Sequence, residues 1–181
     1  MPCMPAPRQA YARPAATEYA PYYGTYISLV TTDDILGALE SQRLQTSQLL
    51  APRTERDGNF RYAPGKWSVK EVVGHLSDAE RIFSYRALRI ARGDATPLPG
   101  FEQDDYIRGG NFADRTLADL SQEFSAVRAA TLALFASLSD DAWARRGSAS
   151  NNEVTVRALA YLIAGHTQHH LDILQSRYLG G

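Results

Sequence analysis

The histidines of this 181-residue chain are the residues whose type and spacing could do chemistry. There are four: His75 stands alone, and His166, His169 and His170 share the run HTQHH. Side chains at positions i and i+4 of a helix project in the same direction, because about 3.6 residues make one turn. A histidine pair of this kind, completed by a third histidine from elsewhere in the chain, is a common way to hold a transition metal.

Two of the clustered histidines continue an apolar stripe on the last predicted helix. At spacings of three and four residues, the stripe comprises Val156, Leu159, Ile163, His166, His170 and Ile173. This periodicity predicts that His166 and His170 face the interior of the protein. His169 points more to one side, so that either pair could bind a metal sterically, but the stripe favours His170.

His75 lies at the edge of the apolar face of an earlier predicted helix, three residues after Val72 and next to Leu76. Two packed helices could therefore meet through His75 on one and His166 and His170 on the other. Burying three neutral imidazoles without partners is costly, and a metal removes that cost. Any one of these residues taken alone is more simply interpreted as a hydrogen-bonded histidine in the core. Three histidines that all face inward favour a metal site.

Three histidine ligands leave an open coordination position, which is typical of catalytic metal sites. Imidazole ligands suit Zn, Ni, Cu or Fe(II). Because all three ligands are neutral, the ion keeps its full charge and could lower the pKa of a bound water toward ~7 or deprotonate a bound thiol. Asp78 and Asp172 are candidate supporting carboxylates, although surface or ion-pair residues are the simpler interpretation.

Composition limits the classes of function. The net charge is −1, with 44% hydrophobic and 22% charged residues, which is ordinary for a globular protein. This balance argues against a nucleic-acid partner, which would need a concentrated basic surface. The most basic stretch is spread along a predicted helix, and we interpret it as a solvated face. It consists of Arg81, Arg86, Arg89 and Arg92.

The single cysteine, Cys3, excludes an internal disulfide and a zinc site built from several cysteines. The first residues lack the apolar core of a signal peptide, and no segment approaches a membrane span of ~20 apolar residues. We therefore expect a cytoplasmic protein with no membrane partner. Proline and alanine in the opening segment predict a flexible N-terminal arm over residues 1–20, followed by one domain over residues 21–181.

Four long amphipathic helices are predicted, and they favour an all-α fold, a four-helix bundle. Their expected N-terminal caps are Thr32, Ser68, Thr116 and Thr155. Ser68 and Glu71 have the spacing of a capping box. Loops are predicted over residues 51–66, over a long segment between the second and third helices, and over residues 147–152, with a short turn at 140–143. No segment shows convincing strand alternation.

Two further groups of residues stand apart from the histidine motifs. Tyrosines are concentrated at Tyr19, Tyr22, Tyr23 and Tyr26, and they could pack onto the body of the domain or form part of a dimer contact. The acidic group in the long loop, followed by Arg108, could line a pocket, although a solvated loop is the simpler interpretation. That group is Glu102, Asp104 and Asp105.

The stretch GKWSVKEVVGHLSDAERIFSYRALRIARGD, followed far downstream by ALAYLIAGHTQHHLDIL, resembles the DinB/YfiT-like superfamily over residues 31–178. The resemblance rests on Trp67 before a capped helix, on His75 in an HL-x-DAE run, and on the pair His166 and His170. It implies a four-helix bundle, commonly homodimeric, with these three histidines binding a divalent metal, usually Zn or Ni. His169 falls beside the family's ligand positions.

The resemblance implies several possible activities on a small-molecule substrate. Relatives include thiol S-transferases that use low-molecular-weight thiols such as bacillithiol, mycothiol or glutathione, and a branch that isomerises maleylpyruvate. The leading hypothesis is a metal-dependent thiol S-transferase. A metal-dependent hydrolase and a non-catalytic, metal-binding dimeric scaffold are the alternatives.

Overall fold

The computed structural model describes residues 11–180, and these residues are predominantly helical. The α-helices are α1 (Gly24–Ile27), α2 (Ile35–Leu50), α3 (Glu55–Asn59), α4 (Val69–Ala91), α5 (Gln103–Gly109), α6 (Leu117–Ala136), α7 (Asp140–Ala144) and α8 (Val156–Ile173). Two strands, β1 (Arg146–Ala149) and β2 (Asn152–Thr155), precede α8, and a π-helical turn (Leu174–Tyr178) continues it. Short 3-10 turns cover Ala16–Glu18, Pro21–Tyr23 and Phe112–Asp114.

The four long helices α2, α4, α6 and α8 form the bundle. Helix α4 packs against both α6 and α8, and α2 packs against the same two helices. The predicted all-α four-helix bundle is therefore confirmed. None of the described helices combines the length and apolar character needed to cross a membrane.

The helix starts follow the predicted caps except at α2. The Ser68 hydroxyl accepts from the Glu71 N–H at 3.2 Å, and the Glu71 carboxylate accepts from the Ser68 N–H at 2.6 Å, which is the predicted capping box. At α2 the cap is Asp34, whose carboxylate accepts from the Gly37 N–H at 3.0 Å. Thr32 instead accepts from the Asp34 N–H and so stabilises the turn before the helix.

Three predicted loops contain regular structure. Residues 147–152, predicted to be a polar loop, belong to an antiparallel hairpin of β1 and β2. Ser150 and Asn151 form its two-residue turn with φ of 53° and 61°, the left-handed values that such hairpins require. The prediction failed because strands this short show too few residues for alternation. The loop over 51–66 contains α3, the predicted turn at 140–143 lies in α7, and the long loop before α6 contains α5.

The second half of the predicted N-terminal arm packs against the bundle. Glu18 is only 4% exposed, and its carboxylate accepts from Thr155 Oγ1 at 2.9 Å and from Arg157 Nε at 2.7 Å. The Tyr11 ring lies 4.7 Å from that of Trp143. Residues 11–20 thus differ from the flexible arm that was expected, because these contacts fix them. The preceding ten residues, with Cys3, lie outside the described part of the chain.

An ion pair in the core ties the four long helices together. Arg128 on α6 is fully buried and donates from Nε and Nη2 to the carboxylate of Glu80 on α4, at 2.7 and 2.8 Å. It also donates to the Leu39 carbonyl of α2 and to the Thr167 hydroxyl of α8, both at 2.8 Å. One guanidinium therefore contacts every helix of the bundle, which fixes α8 against α4 just beside His166.

Candidate metal centre

The bundle brings His75, His166 and His170 together. His75 lies on α4 and the other two on α8, and one ring nitrogen from each lies within 4.8 Å of the others. The Nε2 atoms of His75 and His166 are only 3.0 Å apart. Ligand nitrogens around a tetrahedral zinc ion lie about 3.4 Å from one another, given bonds of ~2.1 Å. The distances in the cluster lie on either side of this value, so the three rings are close enough together to share one ion.

The imidazoles are also in the protonation state that a metal needs. His75 and His166 are buried and His170 is partly buried. Burial lowers the pKa of His75 to about 4 and that of His170 to about 3. Burial, followed by the neighbouring His170, holds the pKa of His166 well below its ordinary value. All three rings are consequently neutral near pH 7, with nitrogen lone pairs available to an ion, so the donor set fits a divalent metal.

Aromatic rings enclose the three histidines. Trp67, two residues before α4, lies 4.9 Å from the His75 ring, and its carbonyl accepts from the Tyr178 hydroxyl at 2.7 Å. Tyr26 of α1 and Phe83 of α4 lie 5.5 and 5.8 Å from the His166 ring. This apolar surround is the physical cause of the low pKa values, because it removes water from the imidazoles.

A close approach of two helices positions Tyr26 over the site. Gly165 packs against the backbone of α1, where a Cβ on this residue would come within 2.1 Å of the Tyr26 carbonyl oxygen. Any larger residue at position 165 would therefore push α1 away from α8. The glycine immediately before His166 thus keeps the tyrosine ring against the metal-ligand candidates.

A pocket of about 570 Å³ leads to two of the histidines. Its walls come from the tyrosine segment that leads into α1, from α4, from the start of α5, from the β1–β2 hairpin and from α8. The lining residues used below are Tyr23, Tyr26, His75, Phe83, Arg86, Phe101, Glu102, Asp105, Ser150 and His166. Its size suits a small organic molecule, so the open side of the histidine cluster is accessible to a substrate.

Three other candidate residues lie apart from the cluster. His169 stacks edge-on against Tyr26, 5.4 Å away, and does not belong to the group of potential ligands in the described chain. Asp78 is engaged by Arg81 at 3.4 Å, and Asp172 accepts from the Gln168 amide at 2.8 Å. These two carboxylates are therefore committed to neighbours on their own helices, and the ion-pair or surface interpretation fits them better.

The acidic loop borders the site, as one of the two interpretations of the sequence anticipated. Glu102 and Asp105 line the pocket, and the charge of Asp104 works against burial by raising the pKa of His75. Asp105 is paired with Arg108 across one turn of α5. Carboxylates and two of the histidines therefore line the same pocket.

The prediction of a solvated basic face is wrong at Arg86, which is only 2% exposed and lines the pocket. Its position was available from the sequence, because 11 residues after His75 make just over three helical turns and return to the same face. Phe83 and Tyr26 were also missed as site residues. Tyr26 had no sequence signal beyond the tyrosine concentration, since only the packing of α1 on α8 brings it to His166.

Comparisons with known proteins agree with this fold. No curated protein sequence matched the chain. Among solved structures, a match was found to YfiT from Bacillus subtilis, described as a probable metal-dependent hydrolase with an unusual four-helix bundle topology. The TM-score is 0.67 at 18% sequence identity, covering 77% of this chain and 81% of that one. The model of the DinB superfamily matches residues 38–174, which include all three histidines of the cluster. This chain therefore belongs to the DinB superfamily.

Proposed function

We propose that this protein is a metal-dependent hydrolase of a small organic molecule, with a divalent transition metal held by His75, His166 and His170. The observation that carries the proposal is the convergence of three neutral imidazoles, two of which, His75 and His166, line a pocket. The description of the YfiT structure as a probable metal-dependent hydrolase supports the same class of reaction. Zinc and nickel are the ions that we expect first.

Different residues of the site would have different roles in the reaction. A divalent ion held by neutral ligands supplies Lewis acidity that activates a water molecule or a thiol near neutral pH. Trp67, Tyr26 and Phe83 exclude bulk water from the histidines and orient their rings. The carboxylate of Glu102 lines the same pocket as His75 and is available to accept a proton from a water molecule, whereas Asp105 is paired with Arg108.

Metal binding is tested by measuring the metal content of the purified protein and of single variants. We expect about one divalent ion per chain in the wild type, and losses of at least tenfold in affinity in His75→Ala, His166→Ala and His170→Ala. His169→Ala is the matched control, since His169 is a neighbouring histidine on the same helix outside the cluster. Full metal content in the three cluster variants would show that the site is assigned to the wrong residues.

Thiol S-transfer is the second candidate. The neutral donor set supports it, because an ion that keeps its full charge also deprotonates a bound thiol. The two reactions are separated by assaying the metal-loaded protein against ester and amide panels with and without low-molecular-weight thiols. Turnover without thiol supports hydrolysis, and turnover only with thiol supports transfer. No turnover under either condition, with the metal bound, would favour a non-catalytic metal-binding scaffold.

A further inference from the structure

Arg86 differs from the other buried cations of the protein. Three lysine or arginine side chains are buried in the described chain, and two of them are paired with a carboxylate. Lys70 pairs with Glu55 at 2.7 Å, and Arg128 pairs with Glu80 at 2.7 Å. Arg86 forms no ion pair within residues 11–180, although it is only 2% exposed. A buried charge is costly without a compensating charge, so an unpaired one at a pocket wall indicates a ligand.

The partners of Arg86 are neutral and leave donors free. Its Nη2 donates to the Pro99 carbonyl at 2.6 Å and to Ser150 Oγ at 3.0 Å, and the Tyr23 phenol is a further hydrogen-bonding neighbour. A guanidinium has five N–H donors, so these three partners do not exhaust it. The positive charge remains uncompensated, while the hydrogen bonds hold the side chain in place.

The guanidinium is fixed from both sides. Its central carbon lies 5.8 Å from the Phe83 ring centroid and 5.9 Å from that of Phe101. Ser150 meets it from the tip of the hairpin, where its φ of 53° is the value that the two-residue turn requires. The two rings and the hairpin turn therefore hold the guanidinium in place at the pocket wall.

One ring connects Arg86 to the histidines. Phe83 lies 5.8 Å from the His166 ring and 5.8 Å from the Arg86 guanidinium. Arg86 and His75 are three turns apart on α4, or about 16 Å between their Cα atoms at 1.5 Å per residue. A ligand anchored at Arg86 can therefore extend along the Phe83 ring and present its other end to the histidine cluster.

We propose that Arg86 binds a carboxylate of the substrate, so that the pocket takes a monoanionic organic acid with an apolar or aromatic body. The planar guanidinium matches a carboxylate through two parallel hydrogen bonds. The aromatic walls suit the body of the ligand, and the nearby Glu102 and Asp105 carboxylates disfavour a more highly charged group such as a phosphate dianion. The proposal deepens the proposed function and rests on it only for the reaction that the bound acid undergoes.

The test compares 4-phenylbutyrate with its neutral analogue 4-phenylbutyramide by calorimetric or NMR titration of the protein, both metal-loaded and after chelation. We expect the acid to bind at least tenfold more tightly than the amide in both forms. Arg86→Gln removes this preference, and Arg92→Gln, an exposed arginine at the end of the same helix, retains it. Equal binding of acid and amide by the wild type would overturn the proposal.

The chelated form separates this proposal from that of the metal site. A preference for the acid that disappears on chelation and survives in Arg86→Gln would mean that the ion holds the carboxylate, and it would overturn the role of Arg86. Should Arg86→Gln fail to fold, Arg86→Lys keeps the charge without the planar fork and should bind the acid several-fold more weakly than the wild type. Unchanged binding in Arg86→Lys contradicts the paired hydrogen bonds. Phenyl phosphate binding more tightly than the acid would overturn the assignment to a carboxylate.

Discussion

Two neighbouring polar groups in the bundle core are built in opposite ways. At Arg128, both charges of the buried pair are compensated, and the remaining donors reach α2 and α8. At the histidine cluster, one residue along α8 from Thr167, the three buried or partly buried imidazoles have mainly one another as polar neighbours. A buried polar group whose charges and hydrogen bonds are all paired, such as Arg128 with Glu80, stabilises the fold. A buried group without such partners, such as the histidine cluster, costs stability and indicates that a ligand completes it.

Of the changes that test this comparison, Arg128→Met is expected to have the largest effect on stability. The substitution leaves the Glu80 carboxylate buried without its partner, and we expect the free energy of unfolding to fall by about 3–5 kcal/mol. Chemical denaturation of the metal-free protein measures it. The double variant Arg128→Met/Glu80→Met, which buries no charge, should be clearly more stable than the single variant. A loss below about 1 kcal/mol in Arg128→Met would mean that the pair does not organise the core.

Metal binding at the histidine cluster should raise the free energy of unfolding, whereas the loss of Arg128 lowers it. A divalent ion at 100 times its dissociation constant is expected to stabilise the wild type by about 2.7 kcal/mol, because it binds only the folded chain. Thermal unfolding with and without Zn²⁺ or Ni²⁺ measures the change. His166→Ala should lose this stabilisation, and His169→Ala should keep it. An equal rise in melting temperature in both variants would place the ion elsewhere.

The cluster should also make the metal-free protein sensitive to acid. Burial lowers the pKa of His75 from its ordinary value of 6.5 to about 4, so the unfolded chain binds more protons between these values. Stability is therefore greatest above pH 6.5 and decreases as the pH falls from 6.5 toward 4. Denaturation at a series of pH values measures this slope, which should be smaller in His75→Gln. An identical slope in the variant would contradict the depressed pKa.

The smallest effect is expected from Thr167→Val, which tests whether the two groups are independent. The hydroxyl accepts from Arg128 Nη2 at 2.8 Å, and its loss should cost about 1–2 kcal/mol as one hydrogen bond to a charged group. Metal affinity should stay within about twofold of the wild type, because the valine keeps the shape of the side chain. Denaturation and metal titration of the same sample measure both. A large loss of metal affinity would show that Arg128 positions His166 through Thr167.

Much of the fold was readable because local signals were strong. The Ser68–Glu71 capping box and the apolar stripes fixed the long helices to within a few residues, and a stripe of 3.6-residue period on α8 placed His166 and His170 on the inner face. The hairpin, α3, α5 and α7 were missed since each has only four to seven residues, too few for a period to show.

The sequence by itself determined the helices, the bundle and the candidate histidines, because capping and periodicity act over a few neighbouring residues. Only the tertiary structure decided what surrounds those histidines. Tyr26 reaches His166 through the contact of α1 with Gly165, and Arg86 turns from an assumed surface residue into a buried cation when the hairpin and Phe101 cover it. Burial, unpaired charge and pocket shape arise from residues far apart in the chain, and no local pattern records them.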